Sequence, residues 1–256
     1  MSLAYMKKLL DKLPSKVKSD TIVEALFEIR FNSEIPNVAD LLPGLLFPKL
    51  RKSYPKIESL PNASMIREIS KKDKNFKYKP THRLLGDSFT LFIGDDVILL
   101  SCPLPYQGWD RFRKEILLVL DHVKDIEFIT DIERFSIKYI NIIPNELAGH
   151  YSDAIDLDIN LGPFEHSERG LVLRQEIIMN DFINVVQVAP NSEGITEGGN
   201  QLQGLLLDID TIYTKKIGLD WDIISNNIDK AHLTEKTIYF NSLNEDSLKK
   251  LQPIWE

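Results

Sequence analysis

Residues 21–37, TIVEALFEIRFNSEIPN, decide how the chain is read, because they alternate as a strand does and then return in weaker form later on. Val23, Ala25, Phe27, Ile29 and Phe31 fall on one face and Glu24, Leu26, Glu28 and Arg30 on the other, the period of two of a half-buried strand. Residues 25–37, ALFEIRFNSEIPN, align without a gap on residues 133–145, ERFSIKYINIIPN. Phe27 then meets Phe135, Ile29 meets Ile137, Arg30 meets Lys138 and Phe31 meets Tyr139, while Ile35-Pro36-Asn37 coincides with Ile143-Pro144-Asn145. The match reads as one folding unit used twice.

Outward from each copy the same order of elements follows. In the first, Asn37 caps a helix that Pro43, Gly44 and Pro48 keep short or broken. Residues 54–60 and 65–70 read as extended and Lys71–Lys79 as a lysine-rich hairpin tip. Residues 83–92 and 97–102 read as strands joined at Gly94-Asp95-Asp96. A long helix over 106–125 carries Trp109, Phe112, Ile116, Leu120 and Val123 at helical spacing. In the second, strands are expected over 132–143, 155–161, 171–179, 182–189 and 205–213. A helix from Asp220 then buries Trp221, Ile224, Ile228 and Ala231, and a last one runs from an Asn244 cap to Leu251. Ahead of both lie a short helix over residues 5–13, stopped by Pro14, and a polar linker over residues 15–20.

The fold class expected is α+β: two tandem similar halves, residues 21–130 and 131–256, forming one compact unit behind an N-terminal extension, residues 1–20. Each half runs strand, short helix, antiparallel strands, long helix. The strands form an antiparallel sheet with the long helices packed on one face. Saddle-shaped duplications like the TATA-binding protein and helix-grip folds share this order, a likeness of architecture only.

At 256 residues and 43% hydrophobic, the chain has the material for a sizeable core. A net charge of −7 argues against coating nucleic acid or an anionic membrane non-specifically. Cys102 is the one cysteine, so no intramolecular disulfide or cysteine zinc site forms within one chain, which suits a reducing compartment. No run of signal-peptide or membrane-span length occurs, and the expected location is cytoplasmic.

The most informative constellation is the charged face of the repeated strand. Glu24, Glu28 and Arg30 share one side of the first copy, and Arg134, Ser136 and Lys138 the matching side of the second. Asp208 and Asp210 form a D-x-D pair on one face of LLLDIDTIY, as do Asp156 and Asp158 in AIDLDIN. Brought together, such groups form either a charged groove with tuned protonation or a face of cross-strand ion pairs. Neither D-x-D pair has the glycine and distal glutamate of a calcium loop, and neither metal nor cofactor is expected. His82, His122, His150, His166 and His232 are scattered, with His232 expected to pack partly against the sheet. Trp109 and Trp221 occupy comparable places in the two long helices and read as core anchors. Cys102 reads as a small buried hydrophobe, and residues 194–204, GITEGGNQLQG, as a mobile loop lacking the phosphate-binding patterns.

Four stretches, IVEALFEIRF (22–31), YPKIESLP (54–61), GWDRFRKEI (108–116) and ERFSIKYIN (133–141), together with the terminal helix around Ala231-His232, resemble a sporadically distributed, uncharacterised prokaryotic family of about this length. The resemblance implies no catalytic residue or cofactor to carry onto positions here, and its patchy distribution is like that of mobile or defence-associated genes. The function expected is therefore a non-catalytic binding or interaction protein. It would present Glu24, Glu28, Arg30, Arg134, Lys138, Asp208 and Asp210 to an unidentified protein partner or small ligand, a homodimer through unpaired strand edges included. An enzyme with a carboxylate and arginine site on the same face is the alternative. A nucleic-acid-binding saddle ranks third, since acidic residues interleave with the basic ones.

Overall fold

The strand read from residues 21–37 spans Ile22–Ser33, and Ala25, Phe27, Ile29 and Phe31 on its core face are no more than 1% exposed. The computed structural model describes residues 9–70, 72–73, 76–148, 151–159, 162–163, 170–195 and 201–255. In chain order, β1 (Lys16–Val17) and β2 (Ile22–Ser33) lead into α1 (Leu42–Leu50), β3 (Lys56–Ser59) and α2 (Ala63–Ser70). Then come β4 (His82–Leu85), β5 (Thr90–Ile93), β6 (Val97–Pro103) and α3 (Trp109–Val123). The remainder is β7 (Ile129–Pro144), α4 (Asn145–Ala148), α5 (Tyr151–Ala154), β8 (Leu173–Met179), β9 (Phe182–Ile195), β10 (Gln201–Tyr213), α6 (Trp221–Ser242), α7 (Glu245–Lys250) and β11 (Pro253–Ile254).

Among the described residues, β3-β4-β5-β6-β2-β7-β10-β9-β8 form one antiparallel sheet of nine strands. The fold is α+β, with the long helices α3 and α6 on one face. Outward from the central β2–β7 pair the order is alike on both sides: the last strand before each long helix, β6 or β10, lies beside the first strand of its half. The register places Phe27 opposite Ile137 and Ile29 opposite Phe135, with Glu28 opposite Ser136. The positions matched in the sequence alignment therefore exchange across the seam, and the rings of Phe27 and Phe135 meet at 6.3 Å.

Two apolar clusters underlie the helices. The larger joins Phe27, Phe31, Leu91 and Leu100 to Phe112, Ile116, Phe135, Ile137 and the first part of α6, at Ile224, Ile228 and Ala231. The smaller gathers Ile143, Val186, Leu207 and Ile209 under Ile238, Tyr239, Phe240 and Leu243. The larger cluster crosses the β2–β7 seam, so the elements on both sides of it share a core.

Several local expectations need correction. Residues 83–92 are not one strand but β4 and β5, paired with each other and turning at residues 86–89. Gly86 is needed there, since a Cβ would stand 2.5 Å from the Ser53 carbonyl oxygen. Residues 65–70 are helical in α2, with apolar and polar residues at amphipathic spacing. Ile155 makes only an isolated bridge to Leu243, and 156–159 form no strand, so Asp156 and Asp158 do not share a strand face. Residues 9–13 form no helix; residues 5–8 lie outside the described residues. The polar linker expected over residues 15–20 is tied down, because Lys16–Val17 pair with Pro253–Ile254. Residues 196–200 of the glycine-rich stretch, His150, His166 and parts of the lysine-rich turn fall outside the described residues; the flanks of the glycine-rich stretch pair as a β9–β10 hairpin.

Two glycine substitutions separate steric from conformational demands. At Gly204, beside the irregularity in the β9–β10 pairing, a Cβ would lie 2.0 Å from the Ile143 carbonyl oxygen, whereas at Gly44 in α1 nothing lies within 4 Å. Gly204→Ala should cost about 2 kcal/mol or more in urea denaturation, and Gly44→Ala should gain up to about 1 kcal/mol.

Candidate functional site

Along the helix-facing side of β7 the side chains run Phe135, Ile137, Tyr139, Asn141, Ile143, all 2% exposed or less. An apolar row is thus interrupted by two polar groups where the two clusters meet. Asn141 is held in a chain of hydrogen bonds. Thr21 donates to its Oδ1 at 3.0 Å, and Asn141 Nδ2 donates to the Leu207 carbonyl at 3.3 Å. With Thr21's proton so used, the Tyr239 hydroxyl donates to Thr21 Oγ1 at 2.6 Å. Tyr139 takes part in a second chain: its hydroxyl lies 2.9 Å from that of Tyr106 and 3.2 Å from His232 Nδ1.

Above this floor stands α6, started by Asp220, whose side chain accepts from the Asp222 amide. Its buried stripe of Ile224, Ile228 and Ala231 continues through Glu235 to Ile238, so helical spacing carries a carboxyl inward. The N-terminus of α3 forms the facing wall. Trp109 stacks on His232 with centroids 4.1 Å apart and planes at 12°, and its Nε1 donates to Asp229 at 3.1 Å. Arg113 Nε also reaches Asp229, at 2.9 Å, clamping the two helices at this end. Residues 15–17 and 20–22 close the remaining side, fixed by the β1–β11 pair and by Lys236 Nζ donating to the Ser15 carbonyl at 3.0 Å.

These walls enclose a partly open cavity of about 260 Å³, bounded by Tyr106, Trp109, Tyr139, His232, Glu235 and Tyr239 among others. The Glu235 side chain lines it, is 4% exposed as a residue, and makes no hydrogen bond among the described residues. Burial pushes its carboxyl up to about 8. Burial, reinforced by Lys236, pushes His232 down to about 3, and it raises the phenols of Tyr106, Tyr139 and Tyr239. At neutral pH the lining is therefore a protonated acid, a neutral imidazole and un-ionised phenols. Such groups offer directional hydrogen bonds.

The seven residues expected to form the site lie on the opposite face, where the sheet brings most of them together. Glu28 accepts from Arg30 at 2.7 Å and from Arg134 at 2.8 Å. Arg134 also lies 3.8 Å from Asp210, and Lys138 pairs with Asp208 at 2.7 Å. Glu24 stands apart and accepts from Ser101 at 2.5 Å, while Arg30 lies over the Tyr78 ring at 4.0 Å. Desolvation raises Asp208 and Asp210, and Lys138 and Arg134 respectively oppose it. Asp208 and Asp210 thus answer different cations rather than converging.

Compared with family models and with curated proteins, the chain matches none. The cavity rests on its geometry alone.

Sequence reading missed Glu235, Thr21, Tyr106, Asn141 and Tyr239 as a group, and took His232 and Trp109 as packing residues. Two signals pointed to them: a glutamate continuing the apolar stripe of α6, and Tyr139 and Asn141 on the apolar face of β7.

Glu235 and His232 give opposite pH dependences. Glu235, at about 8 against an ordinary 4.5, binds its proton more tightly in the folded chain, so its contribution to stability falls as pH rises through that window. His232, at about 3 against 6.5, binds its proton less tightly when folded, so its contribution is lost as pH falls from 6.5 toward 3. The two oppose between 4.5 and 6.5, and above 6.5 the Glu235 effect stands alone. Glu235→Gln should therefore become progressively more favourable relative to the wild type as urea denaturation is repeated from pH 5 to pH 8. A stability difference independent of pH would contradict the neutral carboxyl.

Proposed function

We propose that this chain is a small-molecule-binding protein whose ligand occupies the cavity between α3, α6 and the β2–β7 seam. The observation that carries the reading is the Glu235 side chain, buried without a hydrogen-bond partner among the described residues and lining an aromatic-walled space. Buried polar groups are ordinarily satisfied, and an exception beside a cavity is a place where a ligand completes the bonding. The reading keeps the binding role expected from the sequence and moves it from the charged face to the helix face. On the charged face Glu28, Arg30, Arg134, Lys138 and Asp208 engage one another, and although Arg134 Nε, Asp208 Oδ1 and Asp210 Oδ1 are buried there without a hydrogen-bond partner among the described residues, a ligand would compete with the ion pairs already made. The four-stretch resemblance to an uncharacterised family brings no activity to either face.

The test uses the Trp109 indole N–H in nitrogen–proton correlation spectra, assigned with Trp109→Phe. Phenol, indole, imidazole, benzamide, benzylamine and benzoate are titrated one at a time. At least one should move the Trp109 signal, and Arg30→Ala or Lys138→Ala should leave that response within about twofold. If none moves it, or if only resonances around Glu28 and Arg30 respond, the cavity is not the binding site.

A further inference from the structure

The groups around the cavity restrict what Glu235 can meet. Asp229 is engaged by Arg113 and by the Trp109 indole, Lys236 by the Ser15 carbonyl, and Asp20 by the Ile22 amide. Lys16 stands exposed at the rim. Of these, Asp229 is paired with an opposite charge, that of Arg113; the hydrogen bonds of Lys236 and Asp20 to neutral backbone groups do not cancel their charges. A protonated carboxyl presents an O–H donor and a C=O acceptor side by side. Its complement is a neighbouring acceptor and donor on one edge of a ligand, the arrangement of a ring nitrogen beside an amino group. The walls favour a flat partner: the Trp109–His232 stack and the edge-on pair of Tyr106 and Tyr139, 5.6 Å apart at 83°, present ring surfaces. About 260 Å³ equals the liquid volume of about nine waters at ~30 Å³ each, enough for one small ring system.

We propose that Glu235 reads the amino and ring-nitrogen edge of a planar aminoheterocycle, of the aminopurine or aminopyrimidine class, seated among Tyr106, Trp109, Tyr139 and His232. This rests on the cavity being the binding site. The neutral acid supplies the O–H to the ring nitrogen and accepts from the amino group, so ionising it removes the donor and sets two acceptors against the ring nitrogen.

The probes are adenine, purine and tetramethylammonium, followed by calorimetry and by the Trp109 indole signal. Adenine should bind at pH 7 and move that signal, and purine, which lacks the amino donor, should bind at least about tenfold more weakly. Glu235→Gln preserves a donor beside an acceptor and should stay within about threefold of wild type, whereas Glu235→Leu should lose about tenfold or more. Adenine affinity of the wild type should fall between pH 7 and 9 and stay level in Glu235→Gln. The ionisable groups that line the cavity with Glu235 are Asp20, Tyr106, Tyr139, His232, Lys236 and Tyr239, with Lys16 at the rim. Burial moves the phenols up and His232 down, out of this window, and leaves Glu235 titrating in it.

Equal adenine binding by wild type and Glu235→Leu overturns the proposal, as does tighter binding of tetramethylammonium than of adenine. So does purine binding as tightly as adenine, a comparison that needs no variant. Failure of all three probes while one of the six fragments still moves Trp109 sinks the ligand class and spares the cavity. Failure of every compound sinks both.

Discussion

The antiparallel pairing of β2 with β7, with Glu28 opposite Ser136, sets what each face of the sheet can be. Side chains alternate along a strand, so this register puts Phe27, Ile29, Phe135 and Ile137 under the helices and Glu28, Arg30, Arg134 and Lys138 on the other side. A slip of one residue in either strand would carry charged groups into the shared core. Aromatic contact across the seam and the ion pairs behind it favour the same register, and the two together hold it against alternatives.

The cavity follows from where that register stops supplying apolar groups. Past Ile137 the helix-facing positions of β7 become Tyr139 and Asn141, and Thr21 joins them from the residue before β2. Tyr139 belongs to the larger cluster and Tyr239 and Phe240 to the smaller, so the space lies between two cores, each packed against its own elements. Polar side chains there are fixed by one another: Tyr239 to Thr21 to Asn141, and Tyr106 to Tyr139 to His232. The strap at residues 15–20, held by β11, completes the enclosure from the opposite end of the sequence.

The period-two alternation of β2, the matching stretch at residues 133–145, the Asn244 cap and the start of a helix at Asp220 were legible because each depends on neighbours within a few residues. The break at residues 86–89 was not, since it follows from the close approach of the Ser53 carbonyl, more than thirty residues earlier in the chain. Convergence of the charged residues was visible in outline, but whether Glu28 serves a ligand or two arginines depends on register, which alternation leaves open. The cavity was hardest to see. Its lining comes from five separate segments, and local patterns are broken only by Tyr139 and Asn141 on the apolar face of β7 and by Glu235, a carboxyl in line with Ile228 and Ala231.

That break is informative for a physical reason. A leucine at residue 235 would continue the stripe of α6 and give up nothing in helix propensity, while the acid loses hydration on burial and gains no hydrogen bond. Its neighbours show that the fold can satisfy polar groups here, because Thr21, Asn141, Tyr139 and Tyr239 all find partners at 2.6 to 3.3 Å. An unsatisfied carboxyl beside this satisfied network is a local conflict between sequence and structure, as are Arg134 Nε, Asp208 Oδ1 and Asp210 Oδ1 on the other face, buried without a hydrogen-bond partner among the described residues. Such conflicts are most readily understood where the folded chain alone is not the state in which the group does its work.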